Sequence, residues 1–210
     1  MTQDRQAQDA HAQPAPGDIR ITGSSTAAGG RYRRVRVVGE GTFDGPVQCE
    51  ELHLTGTLRV GGPLDVRRLH VTGDMTVEGS LQADHAHIRG QVTVRGNLEA
   101  EHLDLRGGAS VDGLLSAEEL LLRLYGPVRA QEIGGGRVVI REGWRWFRHA
   151  GFLAAAEVVE GDELHVEKVK ARTVRGRRVE IGPDSEIDRV EYTVHLQVSP
   201  RARVGEVIER

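Results

Sequence analysis

Five glycines, Gly39, Gly56, Gly73, Gly90 and Gly107, stand 17 residues apart, and a second series, Gly45, Gly62, Gly79, Gly96 and Gly113, keeps the same spacing. Two series locked to one period identify an internal repeat, which constrains the fold before any local propensity does. When segments 40–56, 57–73, 74–90, 91–107 and 108–124 are stacked, the apolar residues fall into columns. One column reads Phe43, Val60, Val77, Val94, Val111, and a second reads Val47, Leu64, Leu81, Leu98, Leu115. Cys49, Val66, Ala83, Ala100 and Ala117 form a third. The last two are Leu52, Leu69, Ala86, Leu103, Leu120 and Leu54, Val71, Ile88, Leu105, Leu122. Within a repeat the apolar sites come as i, i+2 pairs, the period of a strand with one face inward.

This pattern predicts an all-β fold, a parallel β-helix (β-solenoid) with about three short strands per coil. Glycine at the corners supplies the backbone freedom of a sharp turn. Aromatics make up only 4% of the chain, so the interior must be filled by thin aliphatic layers. A helical repeat is disfavoured by the period-2 pairing and the β-branched columns.

The repeat has limits. Residues 1–17 are polar and read as a flexible tail, and segment 23–39 fits the frame only in its second half, through Tyr32, Val35 and Val37. Coils of 17 residues are expected over 18–140, with two extra residues after 108 and one more coil through Val128, Ile133, Val138 and Ile140. Residues 141–156 interrupt with an aromatic insertion that holds both tryptophans. A 15-residue period then resumes over 157–198: Val159 to Val174, Leu164 to Val179 to Val194, and Val166 to Ile181 to Leu196. Residues 199–210 read as a second tail. About ten coils make a rod of roughly 45 Å at the usual strand spacing.

The chain resembles the bactofilins, bacterial polymer-forming cytoskeletal proteins. The resemblance is carried by the Gly-cornered coils and by Gly29-Gly-Arg-Tyr32, Leu124-Tyr-Gly-Pro127, Glu132-Ile-Gly-Gly135, Glu157-Val-Val-Glu-Gly-Asp-Glu-Leu164 and Val174-Arg-Gly-Arg-Arg-Val-Glu-Ile-Gly-Pro183. It implies self-assembly without nucleotide into filaments or sheets, and a scaffold role in the cytoplasm or at a membrane. The longer solenoid and the aromatic interruption depart from the short bactofilin pattern.

The residues themselves suggest little chemistry. Net charge is −3, so no overall basic field attracts nucleic acid, and no partner of that class is expected. Cys49 is the only cysteine, which fits a reducing cytoplasm, and its inward column makes it a structural thiol. Gly134-Gly-Gly136 has no following Lys-Ser/Thr, so it is not a phosphate loop, and no catalytic motif or cofactor is expected. Hexapeptide acyltransferase solenoids run on a period of about 18 with even apolar spacing, unlike this one.

Histidines form the one conspicuous polar pattern. His53, His70 and His87 share an outward column, with His85 and His102 on the same face. These five are the candidates if a metal binds, but ligands on a flat strand face converge poorly, so an exposed polar ladder is the expectation. Trp144, Trp146, Phe147 and Phe152 are candidate partner contacts, against a membrane surface or another protein, or a cover over the seam between the two solenoid parts. Self-association is expected at the rod ends, through Val35 and Val37 at one and Val194, Leu196 and Val198 at the other, because unpaired strand edges attract further strands. The competing reading is a non-polymerising binding scaffold.

Overall fold

The computed structural model describes residues 17–143 and 153–210. Twelve strands, all parallel, follow one another in a single sheet that winds into a solenoid of about eleven turns. They are β1 Asp18–Ala27, β2 Gly30–Phe43, β3 Val47–Val60, β4 Leu64–Val77, β5 Leu81–Val94, β6 Leu98–Val111, β7 Leu114–Arg129, β8 Glu132–Glu142, β9 Ala154–Val166, β10 Val169–Ile181, β11 Glu186–Val198 and β12 Arg203–Glu209. Most strands bend twice, so a full coil has three arms.

In β3 the arms are Val47–Cys49, Leu52–Leu54 and Leu58–Val60, each with both ends buried and an exposed residue between them. The 17-residue register holds from β2 to β6: Val47 sits under Leu64, Leu64 under Leu81, Leu81 under Leu98. The interior columns are therefore those read from the repeat, plus a sixth through Leu58, Met75, Val92 and Ala109. That column begins at Gly41, packed against the Val37 and Leu58 side chains.

The corner between the second and third arms needs glycine for a specific reason. Gly39, Gly56, Gly73, Gly90 and Gly107 all have positive φ, and a Cβ on Gly90 would lie 2.8 Å from the Gly73 carbonyl carbon. Leu124 takes this column in β7 without a positive φ, and the two extra residues follow at once: the register steps from Gly107–Leu124 to Ala109–Val128. At the third corner Pro46 and Pro63 give way to Ser80 and Asn97. Ser80 Oγ accepts from Asn97 N at 3.2 Å, and Asn97 Oδ1 accepts from Leu114 N at 3.1 Å.

β8 supplies only two arms. The third-arm place above Val128 is filled by Ala154, so β9 pairs with both β7 and β8. Glu142 pairs with Leu124 and Ala154 with Val128, so the strand residues flanking the segment beyond the described ones meet one corner of β7, and β8 and β9 extend past the expected bounds of 141–156. Lys168, buried and with φ of 56°, places Nζ 3.2 Å from Glu142.

Expectations about the ends are corrected. Residues 18–27 lie within the expected solenoid but outside its 17-residue frame: they form a regular first strand, paired to β2 with a 16-residue offset that places Ile19 below Val35 and Ile21 below Val37. Val35 and Val37 are fully buried in consequence and cannot be end residues. At the other end Arg203–Glu209 is a further strand, paired with Glu186–Tyr192. The 15-residue period holds from β9 to β10 but not to β11, where a shift between Gly176 and Arg178 sets Leu196 on Val179 and Val198 on Ile181. Leu196 and Val198 continue the interior columns; Val194 falls in the irregularity and stands 55% exposed.

Candidate functional site

Among the described residues, the C-terminal end of the solenoid has an uncovered sheet edge. β12 pairs β11 only as far as Tyr192, closed by Arg210 N donating to Tyr192 O at 2.9 Å. Beyond that point no strand among the described residues covers Val194–Val198. Val198 is 38% exposed although its column is interior in every earlier coil. Such an edge offers unpaired backbone groups together with an apolar step, the two things a further strand would satisfy. At the opposite end β1 presents Ile19 half-buried, with Asp18 held by Arg33 at 2.8 Å, a pairing that lowers the Asp18 carboxyl below its usual range.

The second-arm face carries the histidines. His53 and His70 stack with ring centroids 4.8 Å apart, His70 and His87 at 5.4 Å, and His85 and His102 at 4.9 Å. The rings lie nearly parallel because each sits on its equivalent in the next coil. Burial first, and then the neighbouring His53 and His87, push the His70 imidazole below its ordinary range. Glu51 accepts from Arg68 and from Arg34 (3.0 Å), and His102 Nδ1 lies 3.1 Å from Glu119. Among the described residues no three His, Cys, Asp or Glu side chains converge on a common point. Stacked rings present parallel faces, which is the wrong arrangement for a shared ion.

Sequence reasoning missed a groove of 660 Å³ along the corner between the first and second arms. Its floor is bare because Gly135, Gly161 and Gly176 stack in register, and a side chain on Gly161 would meet the Gly135 backbone. Its walls are charged and largely self-paired. Arg175 bonds Glu160, and the buried Glu191 contacts Arg189 at 2.8 Å. Arg210 approaches Glu191 Oε2 at 2.6 Å without the alignment of a hydrogen bond. The Gly134–Gly136 run was the available signal, but its register with Gly161 and Gly176 depends on the length of the excursion. Cys49 is buried, and burial, with Asp65 adding to it, pushes its thiol up to about 12. Trp144, Trp146, Phe147 and Phe152 lie outside the described residues.

Two proteins of Bacillus subtilis (strain 168) share sequence with this chain. The uncharacterized protein YhbF is 33% identical over 76 residues, 36% of this chain and 32% of YhbF. The uncharacterized protein YhbE is 44% identical over 52 residues, 25% of this chain and 22% of YhbE. The alignments thus span a third or less of either relative. No family profile and no solved structure matches the chain. The likeness is to segments of two bacterial proteins, and the solenoid architecture rests on this chain's own register.

Proposed function

We propose that this chain is a structural protein whose rods stack end to end into a nucleotide-independent polymer, as a bactofilin-like cytoskeletal scaffold in the cytoplasm. The observation that carries the reading is the uncovered edge of β11, where Leu196 and Val198 continue the interior columns of Val179 and Ile181 into an open end. Docking a first strand of another copy there would extend the backbone ladder and cover both side chains without bound nucleotide or metal. The resemblance to bactofilin segments and the absence of a convergent constellation on the described surface support the same reading.

Leu196→Lys and Val194→Pro test it. Each blocks the edge while leaving earlier coils intact, because solenoid stability is mostly nearest-neighbour. Both variants should sediment as small species with β-rich circular dichroism, and the parent as large assemblies. A parent that stays monomeric across concentration and salt refutes end-to-end stacking.

A further inference from the structure

Two charged ladders run parallel to the rod axis along opposite borders of the second-arm face. On one border Arg89, Arg106, Arg123 and Arg141 stack in register through β5, β6, β7 and β8. Arg106 is tied to Asp104 at 3.0 Å. Arg89, Arg123 and Arg141 make no ion pair among the described residues. On the other border Asp84, Glu101 and Glu118 occupy equivalent corner positions, framed by the columns Ala83–Ala100–Ala117 and His85–His102–Glu119. Glu101 and Glu118 are exposed and unpaired among the described residues, and Asp84 has only a long contact of 3.4 Å with exposed Arg67. Each acid lies in the same coil as one arginine, five residues before it.

Stacking like charges at the strand spacing of about 4.8 Å is unfavourable unless a counter-charge faces them. Here the counter-charges sit on the far side of the same arm, roughly 16 Å away along an extended strand and beyond their own arginines' reach. A second copy displaced sideways in the plane of the second-arm face brings them together. Both ladders are ruled by the same inter-coil spacing, so three acid rungs of one rod match three arginine rungs of the next without adjustment.

We propose that the Arg89–Arg106–Arg123 border of one rod pairs with the Asp84–Glu101–Glu118 border of a second copy, in parallel orientation and without stagger. The contact is heterologous: each rod keeps one border free, so the association is open-ended and builds a flat sheet. All second-arm faces, with their histidine columns, then lie on one side. Exposed ion pairs are individually weak and screened, so the sheet depends on many rungs acting together and on low salt. This contact is independent of the end-to-end edge and adds a second direction of growth.

The test uses two charge-reversed full-length proteins, Arg89→Glu/Arg123→Glu and Asp84→Arg/Glu118→Arg, examined by negative-stain electron microscopy and light scattering at low and high salt. The parent should form sheets or side-by-side bundles at low salt that dissolve as salt rises. Each variant alone should lose them, because like charges then meet. Mixing the two should restore lateral assembly, which only folded proteins can do. Sheets that persist in either variant alone, or a mixture that remains dispersed, overturn the pairing. Single-file filaments one rod wide at low salt overturn it while leaving end-to-end stacking standing, and dispersed rods at every salt overturn both. Low-salt binding of the parent to anionic vesicles, lost in Arg89→Glu/Arg123→Glu and without any self-association, would reassign the arginine ladder to a lipid surface and also overturn it.

Discussion

Replacing Gly90 by alanine should damage the solenoid far more than replacing Gly23, although both have positive φ. Gly23 has φ of 84° and open space where a Cβ would project. Alanine there meets only the backbone term, about 1–2 kcal/mol, offset by about 0.4–1 kcal/mol from the less flexible unfolded chain. The net cost is about 0–1.5 kcal/mol. Gly90 has φ of 137°, and its Cβ would sit 2.8 Å from the Gly73 carbonyl carbon and closer still to the oxygen. Only backbone stands in the way, so the two coils must separate at that corner. Losing one or two ladder hydrogen bonds adds roughly 1 kcal/mol each to that net backbone cost, giving about 1–3.5 kcal/mol in all. Because Gly23 lies in an end coil whose opening is local, amide exchange of the flanking strands is the assay, with urea unfolding alongside. Equal protection losses at the two sites would refute the view that inter-coil contact, and not φ alone, fixes glycine in this column.

Val94 is fully buried between Val77 and Val111, whereas Arg95 makes only an exposed 3.6 Å contact with Asp112; Val94→Asp should prevent stable folding of that coil, while Arg95→Ala shifts stability by no more than about 0.5 kcal/mol, as thermal melts can show. His70, a base held below its unfolded value of about 6.5 by burial and by His53 and His87, binds protons less readily when folded, so its contribution is full above that value and is lost as pH falls through it. An NMR titration should place His70 below 6.5, and a raised value, with Glu51 outweighing the burial, contradicts the stacked geometry. The Cys49 thiol should resist alkylation at pH 8 in the native protein and react on unfolding; rapid native labelling would show that its column is not sealed.

Most of the architecture was legible because a period states which residues are stacked before any contact is known. The 17-residue columns transfer directly to the register from β2 to β6. The errors arose where the period changes. Ile19 and Ile21 alternate as a strand should, yet their offset to β2 is 16, so a frame fixed at 17 passes over them and makes Val35 and Val37 look terminal. The last coils step from 15 to 16 and then 17 residues, which moved Leu196 by two positions and hid the pairing of Arg203–Glu209. The histidine ladder was readable from spacing alone. The groove over Gly135, Gly161 and Gly176 was not, because its register crosses an excursion whose length the sequence does not divide into arms.

A solenoid turns each surface residue type into a row, and rows behave differently from single residues. One exposed arginine is solvated and nearly neutral in its effect; four stacked at the strand spacing form a line of charge that a matching line can meet rung by rung. The same multiplication stacks the imidazoles of His53, His70 and His87, each within 5.4 Å of the next. On the assembly proposed above, substitutions that interrupt a row should act on association well before they act on the fold. Arg123 is the informative position: it is half-exposed, unpaired among the described residues, and adjoins Leu124, where the corner glycine is lost. Arg123→Gln removes a rung without touching the core. It should weaken lateral association while leaving the melting temperature unchanged; a lowered melting temperature with normal association would assign Arg123 to the corner instead of to the row.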